Sequence, residues 1–361
     1  MVPKVALDYR PALLSPAGIG RAVRELSRAL AARTDVALHL FAHSLAAARV
    51  PCRLPAPGRL HRLPIPGRSL PLLSRLGLPA ERLAGNCAVF HWTDYVQPPI
   101  GRARAVLTIH DLAFARDPSW HGDDAATLRD RTTRAAAAAT AIVVPSRATA
   151  DDVRRELPRA PAPVVAPFGS DHVPAATLPR PRDLPADYLL ALGTVEPRKN
   201  HATLLAALRA LPAAPPLLVV VGARGWAVDD VAAALRAAER DGRVRWLEHA
   251  DDRTVWSLLQ HARALVYPSL WEGFGFPPLE AMALGVPVVA HDCAPLAELC
   301  DGNALLCDAR SPAALADAIG RVLGDAALRE RLRRGGPLRA ATFRWADCAA
   351  MHARVYREAL A

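Results

Sequence analysis

Short apolar runs recur along almost the whole chain, each separated from the next by a helical pattern, and few folds accommodate that alternation. A strand that is apolar at every position is buried on both faces, as in a parallel sheet covered by helices on both sides. A first series of such runs falls at residues 4–7, 36–41, 88–92, 105–109, 141–144 and 164–166. A second falls at residues 188–192, 217–221, 244–247, 264–267, 286–290 and 304–307. Amphipathic helices lie between them. In residues 20–33, Val23, Leu26 and Leu30 share one face while Arg21, Arg24 and Arg28 share another. The pattern predicts a doubly wound α/β arrangement built twice.

The break between the two series is legible. Residues 167–185 carry several prolines and little periodicity, which reads as a linker. Residues 50–79, rich in Pro, Gly, Arg and Leu, read as an irregular insertion between the second and third strands, with a short basic, apolar-faced helix at residues 70–76. That helix would either touch a membrane or cover the edge of a sheet. A final helix is expected at residues 345–360. The expected organisation is an acceptor-side domain over residues 1–170, a nucleotide-sugar-binding domain over 171–344, and a C-terminal helix, 345–361, returning to the first domain. For 361 residues, two domains is the ordinary number.

Charge and cysteine usage narrow the classes. The formal net charge is +10, and residues 1–83 hold 13 Lys/Arg against 4 Asp/Glu, which is +9 of it. A basic half of this kind suits an anionic surface or a diphosphate-linked acceptor. Nucleic acid fits the sign, but no recognition helix, RNP-like aromatic pattern or zinc finger accompanies it. No apolar run approaches the ~20 residues needed to span a bilayer, and the N-terminus lacks the long apolar core of a signal peptide. The 6 cysteines form no CxxC pair, and Cys293, Cys300 and Cys307, spaced by seven, lack the close spacing and histidines of a zinc site. Reduced thiols and a cytoplasmic location are the expectation.

The densest chemical signal is residues 267–283, Tyr-Pro-Ser-Leu-Trp-Glu-Gly-Phe-Gly-Phe-Pro-Pro-Leu-Glu-Ala-Met-Ala. Pro277 and Pro278 mark the start of a helix after a glycine-containing loop. Gly273 and Gly275 let backbone approach a ligand, and the amides of the loop and first turn favour an anion. Glu272 and Glu280 flank that turn. Glu280 also suits a helix start, whereas Glu272 in its loop has no such structural excuse. Carboxylates beside anion-seeking amides read as a site for sugar hydroxyls and phosphate together.

A second signal, Gly193-Thr194-Val195-Glu196-Pro197-Arg198-Lys199-Asn200, follows the first strand of the second series. Asn200 reads as an N-cap. Arg198 and Lys199 then stand at a helix N-terminus, where cations are disfavoured unless an anion compensates, so a diphosphate clamp is the natural reading. A third, His110-Asp111, ends a strand of the first series, where ligands sit in open α/β sheets. On its own such a histidine is more often structural. A fourth, Ser15-Pro16-Ala17-Gly18-Ile19-Gly20-Arg21, offers Gly-x-Gly without the third glycine of a dinucleotide turn; Val23 stands there, and no acidic residue ends the second strand. A nicotinamide dehydrogenase is therefore a weak alternative.

The Glu-x7-Glu segment 272–280 and the Gly-Thr-x-Glu-Pro-Arg-Lys-Asn run resemble family 4 retaining glycosyltransferases, in the branch containing O-antigen mannosyltransferases. The resemblance spans nearly the whole chain and is strongest over residues 188–310. It implies the GT-B fold, two doubly wound Rossmann-like domains facing each other across a cleft. It implies catalytic roles for His110, Arg198, Lys199 and Glu272. His110 would stand against the transferred sugar, the Arg-Lys pair would stabilise the leaving diphosphate, and Glu272 would hold the donor sugar. Donor contacts would come from Gly18, Gly20, Thr194, Gly222, Leu247, Gly273, Phe274, Gly275 and Phe276, with Glu280 on the ribose. Gly222 opens the run Gly222-Ala223-Arg224-Gly225-Trp226, and Leu247 opens Leu247-Glu248-His249; in the family such loops cradle the base. Arg21 and Asp111 are acceptor-side candidates, with Asp111 fixing its loop or the imidazole. Ser146-Arg147 resembles a family position near the cleft and equally suits a helix cap; His91-Trp92 would line the acceptor side or pack.

The implied reaction moves a hexose, first mannose from GDP-mannose, with retention, to a glycan or polyprenyl-diphosphate-linked acceptor in surface polysaccharide synthesis. Rhamnose, glucose, galactose or an amino sugar would use the same chemistry. A phosphorylase or epimerase of the same fold, or an inactive binding homologue, are the other readings. The nucleotide sugar is a co-substrate, with no cofactor and no metal, since no DxD-like motif is in evidence. An anionic inner-membrane surface is a candidate partner of the basic half, and nucleic acid is not.

Overall fold

The computed structural model describes residues 2–15, 18–51, 59–122, 124–211 and 215–361. A 7-stranded sheet holds β1 (Lys4–Asp8), β2 (Ala37–His43), β3 (Arg59–Leu63), β4 (Val89–Trp92), β5 (Arg104–Thr108), β6 (Ala141–Val144) and β7 (Pro163–Val165), in the order β3-β2-β1-β4-β5-β6-β7. A 6-stranded sheet holds β8 (Tyr188–Leu192), β9 (Leu217–Val221), β10 (Val244–Leu247), β11 (Ala264–Tyr267), β12 (Val288–His291) and β13 (Leu305–Cys307), in the order β10-β9-β8-β11-β12-β13. Every pairing between these strands is parallel. Strand order reverses once in each sheet, between β1 and β4 and between β8 and β11. At such a switch point neighbouring loops part and leave a crevice beyond the carboxyl ends of the strands.

The chain divides into two compact units. One comprises Met1–Arg116, Asp123–Gly169 and Arg344–Ala361; the other comprises Asp117–Gly122 and Ser170–Phe343. Each has its own apolar core. In the first, Ala6, Phe90, Leu107 and Ile142 of the central strands pack with Ala136 and Val153 of the covering helices. In the second, Leu189, Val220, Val266 and Val289 pack with Leu204, Leu235, Leu315 and Ile319. These strands are buried on both faces, which is why they read as unbroken apolar runs.

Residues 50–79 are not wholly irregular. They contain β3, paired to β2 from His39↔Arg59 to His43↔Leu63. Arg59-Leu60-His61-Arg62-Leu63 lacks an apolar run because it is an edge strand, half-exposed, whose basic side chains discourage further pairing. A helix follows at Leu70–Arg75. Residues 52–58, with Cys52, lie outside the described residues, as do Pro16 and Ala17 of the first loop.

The last helix, Trp345–Glu358, belongs to the first unit and is fastened there by a buried polar cluster. His91 at the end of β4 sits 2.8 Å through Nδ1 from the Tyr356 hydroxyl and 2.7 Å through Nε2 from Thr108 Oγ1. His352 Nδ1 donates to the Cys348 carbonyl at 2.8 Å. His91 is wholly buried, so it packs and lines no open surface; Trp92 is mostly buried, donates its N–H to the Pro98 carbonyl and borders a pocket with Tyr95 and Arg131.

Burial disfavours the charged form of these imidazoles. It pulls His91 well below the ordinary histidine value, and takes His352 down to about 4. A histidine whose pKa is lower in the folded state than in the unfolded one stabilises the fold fully above about pH 6.5, and that stability declines as pH falls toward the folded value. Chemical unfolding at pH 7 and pH 4.5 should therefore show a marked loss of stability at the lower pH. The variant His352→Gln should lose measurably less. An equal loss in both proteins would show that this cluster does not set the acid sensitivity.

Candidate functional site

The second unit gathers its chemistry where β8 and β11 end. After β8 the chain passes Gly193 and Thr194 and makes a 3-10 turn, Pro197–Lys199, that leads into the helix His201–Ala210. Gly193 has φ +135°, a conformation that favours glycine, and the Lys199 stem lies alongside, 3.4 Å from where a Cβ would stand. Asn200 takes the left-handed conformation at φ 57° and its side chain does not cap the helix. Instead Asn200 Nδ2 donates to the Ala309 carbonyl at 2.7 Å, and its Oδ1 accepts from Thr203 Oγ1. Asn200 stands at the expected N-cap position, but its side chain braces the turn against a neighbouring loop instead of capping.

From β11 the chain runs through Ser269, Trp271 and Glu272 to Gly275, the left-handed residue (φ 109°) before the helix Phe276–Ala283. A Cβ on Gly275 would come within 2.7 Å of Leu296 Cδ2, so this position needs glycine for packing as well as for φ. The helix starts at Phe276, which places Glu280 beyond its first turn. Pro277 and Pro278 carry no N–H, so the first turn offers an anion fewer donors than its length suggests. Phe274 is buried against Phe276 and Phe343, at ring separations of 5.5 and 5.8 Å.

Glu272 is the centre of the arrangement. Its Oε1 accepts from Lys199 Nζ at 2.5 Å, from Tyr267 Oη at 2.8 Å and from Ser269 Oγ at 2.5 Å, and Arg198 Nη1 stands 3.1 Å away. Oε2 makes no hydrogen bond to the described residues, so one oxygen of a fixed carboxylate remains to accept from a ligand hydroxyl. Burial alone would raise the Glu272 carboxyl; Lys199 and Arg198 overcome it and hold the group down at about 2. The same burial pulls Lys199 below the usual lysine value and pushes Tyr267 well above the usual phenol value. Arg198 is also held by Glu196 Oε1 at 2.7 Å and by the Trp271 carbonyl at 2.6 Å. The anion expected to compensate Arg198 and Lys199 is therefore supplied in part by the protein, through Glu272 and Glu196. What a diphosphate would meet is a prepositioned cation pair already balanced by carboxylates.

Other sequence candidates stand nearby or apart. Glu280 is 2% exposed and pairs with His172 Nε2 at 3.0 Å. His172 lies in the stretch read as a linker and was not foreseen; only a histidine amid prolines marked it. Gly222 donates its N–H to the Leu247 carbonyl at 3.0 Å, and a Cβ on it would fall 1.9 Å from the Gly193 carbonyl oxygen. Gly193, Thr194, Gly222 and Leu247 thus lie together at the carboxyl ends of β8, β9 and β10. Trp226, 43% exposed, donates to the Trp120 carbonyl at 2.8 Å.

His110, just beyond β5, places Nε2 2.8 Å from the Thr93 carbonyl. A carbonyl only accepts, so Nε2 carries the proton and Nδ1 is left as an acceptor. Burial lowers the His110 pKa despite Thr93, Asp111 and Asp94, which favours this neutral tautomer. Asp111 Oδ1 accepts from the Ala113 amide at 3.0 Å and so fixes its loop. Gly18 has φ +52° ahead of the helix Ile19–Ala31. Gly20 is required by the chain itself, because a Cβ there would lie 2.0 Å from the Ser15 carbonyl oxygen. Arg21 is half-buried on that helix. Ser146 is a cap, accepting from the Thr149 amide at 3.1 Å.

Comparison with known proteins agrees with this architecture. Residues 180–339 match the family model described as glycosyl transferases group 1, and residues 16–168 match that of glycosyltransferase family 4. The chain is 30% identical to O-antigen chain mannosyltransferase B of Escherichia coli over 285 residues, 74% of either chain. Among solved structures it resembles sucrose-phosphate synthase from Thermosynechococcus elongatus, with a TM-score of 0.77 at 22% identity over 99% of this chain and 98% of that one. It also resembles Anabaena HepE, solved in complex with UDP and glucose, with a TM-score of 0.73 at 17% identity over 99% of both chains. The chain belongs to the family 4 glycosyltransferases: it is a hexosyltransferase of the GT-B fold.

Proposed function

We propose that the enzyme transfers mannose from GDP-mannose, with retention at the anomeric carbon, to a glycan or polyprenyl-diphosphate-linked acceptor in surface polysaccharide synthesis. The observation that carries this reading is the convergence of Lys199, Arg198 and Glu272 beside the loop 273–276 in the second unit. The cation pair suits a leaving diphosphate, and the unused Oε2 of Glu272 suits a sugar hydroxyl. Glu280, oriented by His172, is assigned to the ribose. On the first unit, His110 is assigned the role of acceptor toward a sugar hydroxyl through Nδ1. In the transfer, the anomeric carbon–oxygen bond to the diphosphate breaks as the acceptor oxygen bonds on the same face. The leaving diphosphate oxygen takes the acceptor's proton. Lys199 and Arg198 stabilise the charge that develops there, and neither a metal nor a cofactor is assigned.

Mannose is the first choice because of the likeness to the E. coli O-antigen mannosyltransferase. HepE, solved with UDP and glucose, makes uridine donors the second. Peripheral attachment at the cytoplasmic face of the inner membrane is part of the proposal. Leu72, Leu76 and Leu78 are 60%, 69% and 44% exposed on the first unit. Arg68, Arg75 and Arg82 lie in the same stretch of chain, and residues 1–83 carry a surplus of +9. No helix among the described residues is long and apolar enough to cross a membrane.

A tight donor raises stability by mass action, about 2.7 kcal/mol at a hundred times its Kd. In a panel of nucleotide sugars, GDP-mannose should raise the unfolding temperature most; no shift with any GDP-sugar would remove the guanosine assignment. Lys199→Ala should weaken donor binding and transfer by about 100-fold, in line with the loss of one charge-stabilising donor. Glu272→Gln should lose transfer while GDP still binds. Unchanged transfer rates in both variants would overturn the site.

A further inference from the structure

The side of the first unit carries a groove that none of the roles assigned above uses. It runs between the second half of the helix Asp124–Ala138 and the stretch 95–100 that follows β4, and its volume is about 540 Å³. The groove is open because the helix turns small residues toward it. Arg131, Arg134, Ala135 and Ala138 recur at helical spacing on one face, and the two alanines leave free the space that larger side chains would fill. The opposite wall is preformed. Trp92 donates its indole N–H to the Pro98 carbonyl at 3.0 Å, the Val96 amide donates to Asp94 Oδ1 at 2.8 Å, and the Tyr95 ring rests edge-on against Phe114. Pro98 and Pro99 fix two backbone angles of the same stretch.

The lining is apolar and its rim is cationic. Val96 leaves 37% of its surface in water beside the rings of Trp92 and Tyr95. Among the described residues no Asp or Glu lines the groove. Arg134 pairs with Asp130 on its own helix at 2.6 Å, but both are largely exposed, and such a pair holds an arginine only weakly. Arg131 makes no ion pair among the described residues. This combination suits an amphiphile with an apolar tail and an anionic head. At the ~30 Å³ that a water-sized group occupies, there is room for one chain of a lipid and not for two.

The surroundings favour a membrane as the source of that amphiphile. Pro99, at the rim, accepts from the Ala80 amide at 2.9 Å. The chain beyond it is held by the buried Glu81, whose Oε1 accepts from the Gly101 and Arg102 amides at 2.9 and 2.8 Å. Hydrogen bonds thus join the rim to the segment 70–83, which exposes Leu72, Leu76 and Leu78 and carries Arg75 and Arg82. A soluble acidic peptide in the groove would leave those leucines in water. A bilayer that covers them brings headgroup phosphates to the edge of the groove.

We propose that this groove binds one anionic phospholipid drawn from the membrane, with an acyl chain along Trp92, Tyr95, Val96 and Ala138 and the headgroup phosphate on Arg131 and Arg134. The inference rests on the membrane attachment proposed above and adds to it a contact that selects a lipid. A surface that merely touches a bilayer responds to its charge density. A groove that takes a single molecule also binds that lipid free in solution.

Dihexanoylphosphatidylglycerol, kept below its micellar concentration, is titrated into the full chain and followed by saturation-transfer NMR. Dihexanoylphosphatidylcholine, geranyl phosphate and an acidic aromatic hexapeptide are titrated for comparison. Two variants are used: Ala138→Phe, which fills the groove from an exposed position, and Arg131→Glu with Arg134→Glu, which reverses the charge of its rim. Unchanged circular dichroism and unfolding temperature show that each is folded. The glycerol lipid should bind about tenfold or more tightly than the choline lipid, and either variant should weaken it by about tenfold or more. No binding of the monomeric lipid to the wild type, no preference over the choline lipid, or equal binding by either folded variant overturns the groove. Tighter binding of geranyl phosphate would give the groove to a prenyl lipid, and tighter binding of the peptide would give it to a protein partner; each overturns the phospholipid. Sedimentation with vesicles of phosphatidylglycerol and phosphatidylcholine in equal parts tests membrane attachment separately. A wild type that binds the monomeric lipid and not the vesicles keeps the groove and removes the attachment.

Discussion

A carboxylate removed from water must find donors inside the protein, and Glu272 finds them on one of its two oxygens. Lys199, Tyr267 and Ser269 donate to Oε1, and Arg198 stands against the same atom. That convergence ties the end of β8 to the end of β11 across 73 residues of sequence. It also explains the geometry around it. Gly193 takes its positive φ beside the lysine stem, Asn200 braces the turn that presents Arg198 and Lys199, and Glu196 shares the arginine. Removing one partner would leave a buried charge without compensation, which is far more costly than the pair is favourable.

The first unit solves a related problem differently. Many of its buried polar groups are neutral: His91 joins Thr108 on the sheet to Tyr356 of the last helix through uncharged hydrogen bonds, and His352 bonds to the Cys348 carbonyl within that helix. Where it does bury a carboxylate, as in Asp152, that group is held by arginines, Arg116 and Arg155. The contrast follows from their surroundings. A latch between a sheet and a helix gains by being neutral, because neutral groups tolerate desolvation far better than ions do.

Much of the fold was legible because burial on both faces leaves a mark in composition. Tyr188–Leu192, Leu217–Val221 and Ala264–Tyr267 are apolar throughout and form strands with the expected bounds. β3 was not legible, because an edge strand half-open to water has no need of apolar residues at every position. At the candidate site the residue types were legible and their arrangement was not. Glycines, prolines and carboxylates in the 267–283 segment announced a ligand site, but no spacing in sequence says that Glu272 itself would neutralise Arg198 and Lys199. Nor could it say that Asn200 would brace where it was expected to cap. His172 lies 108 residues from Glu280, and Arg10 lies 84 from Asp94, so local pattern could not reveal these pairs.

Gly193 and Gly222 meet backbone to backbone, the Cα of one against the carbonyl of the other. The ground between β8 and β9 is therefore main chain, and no side chain can be grafted there without prising two strands apart. Libraries that vary these loops would lose diversity at Gly222, where a Cβ overlaps backbone, and at Gly193, whose positive φ strains any other residue. Thr194 and Leu247, which border the same ground with side chains of their own, are where variation can be afforded.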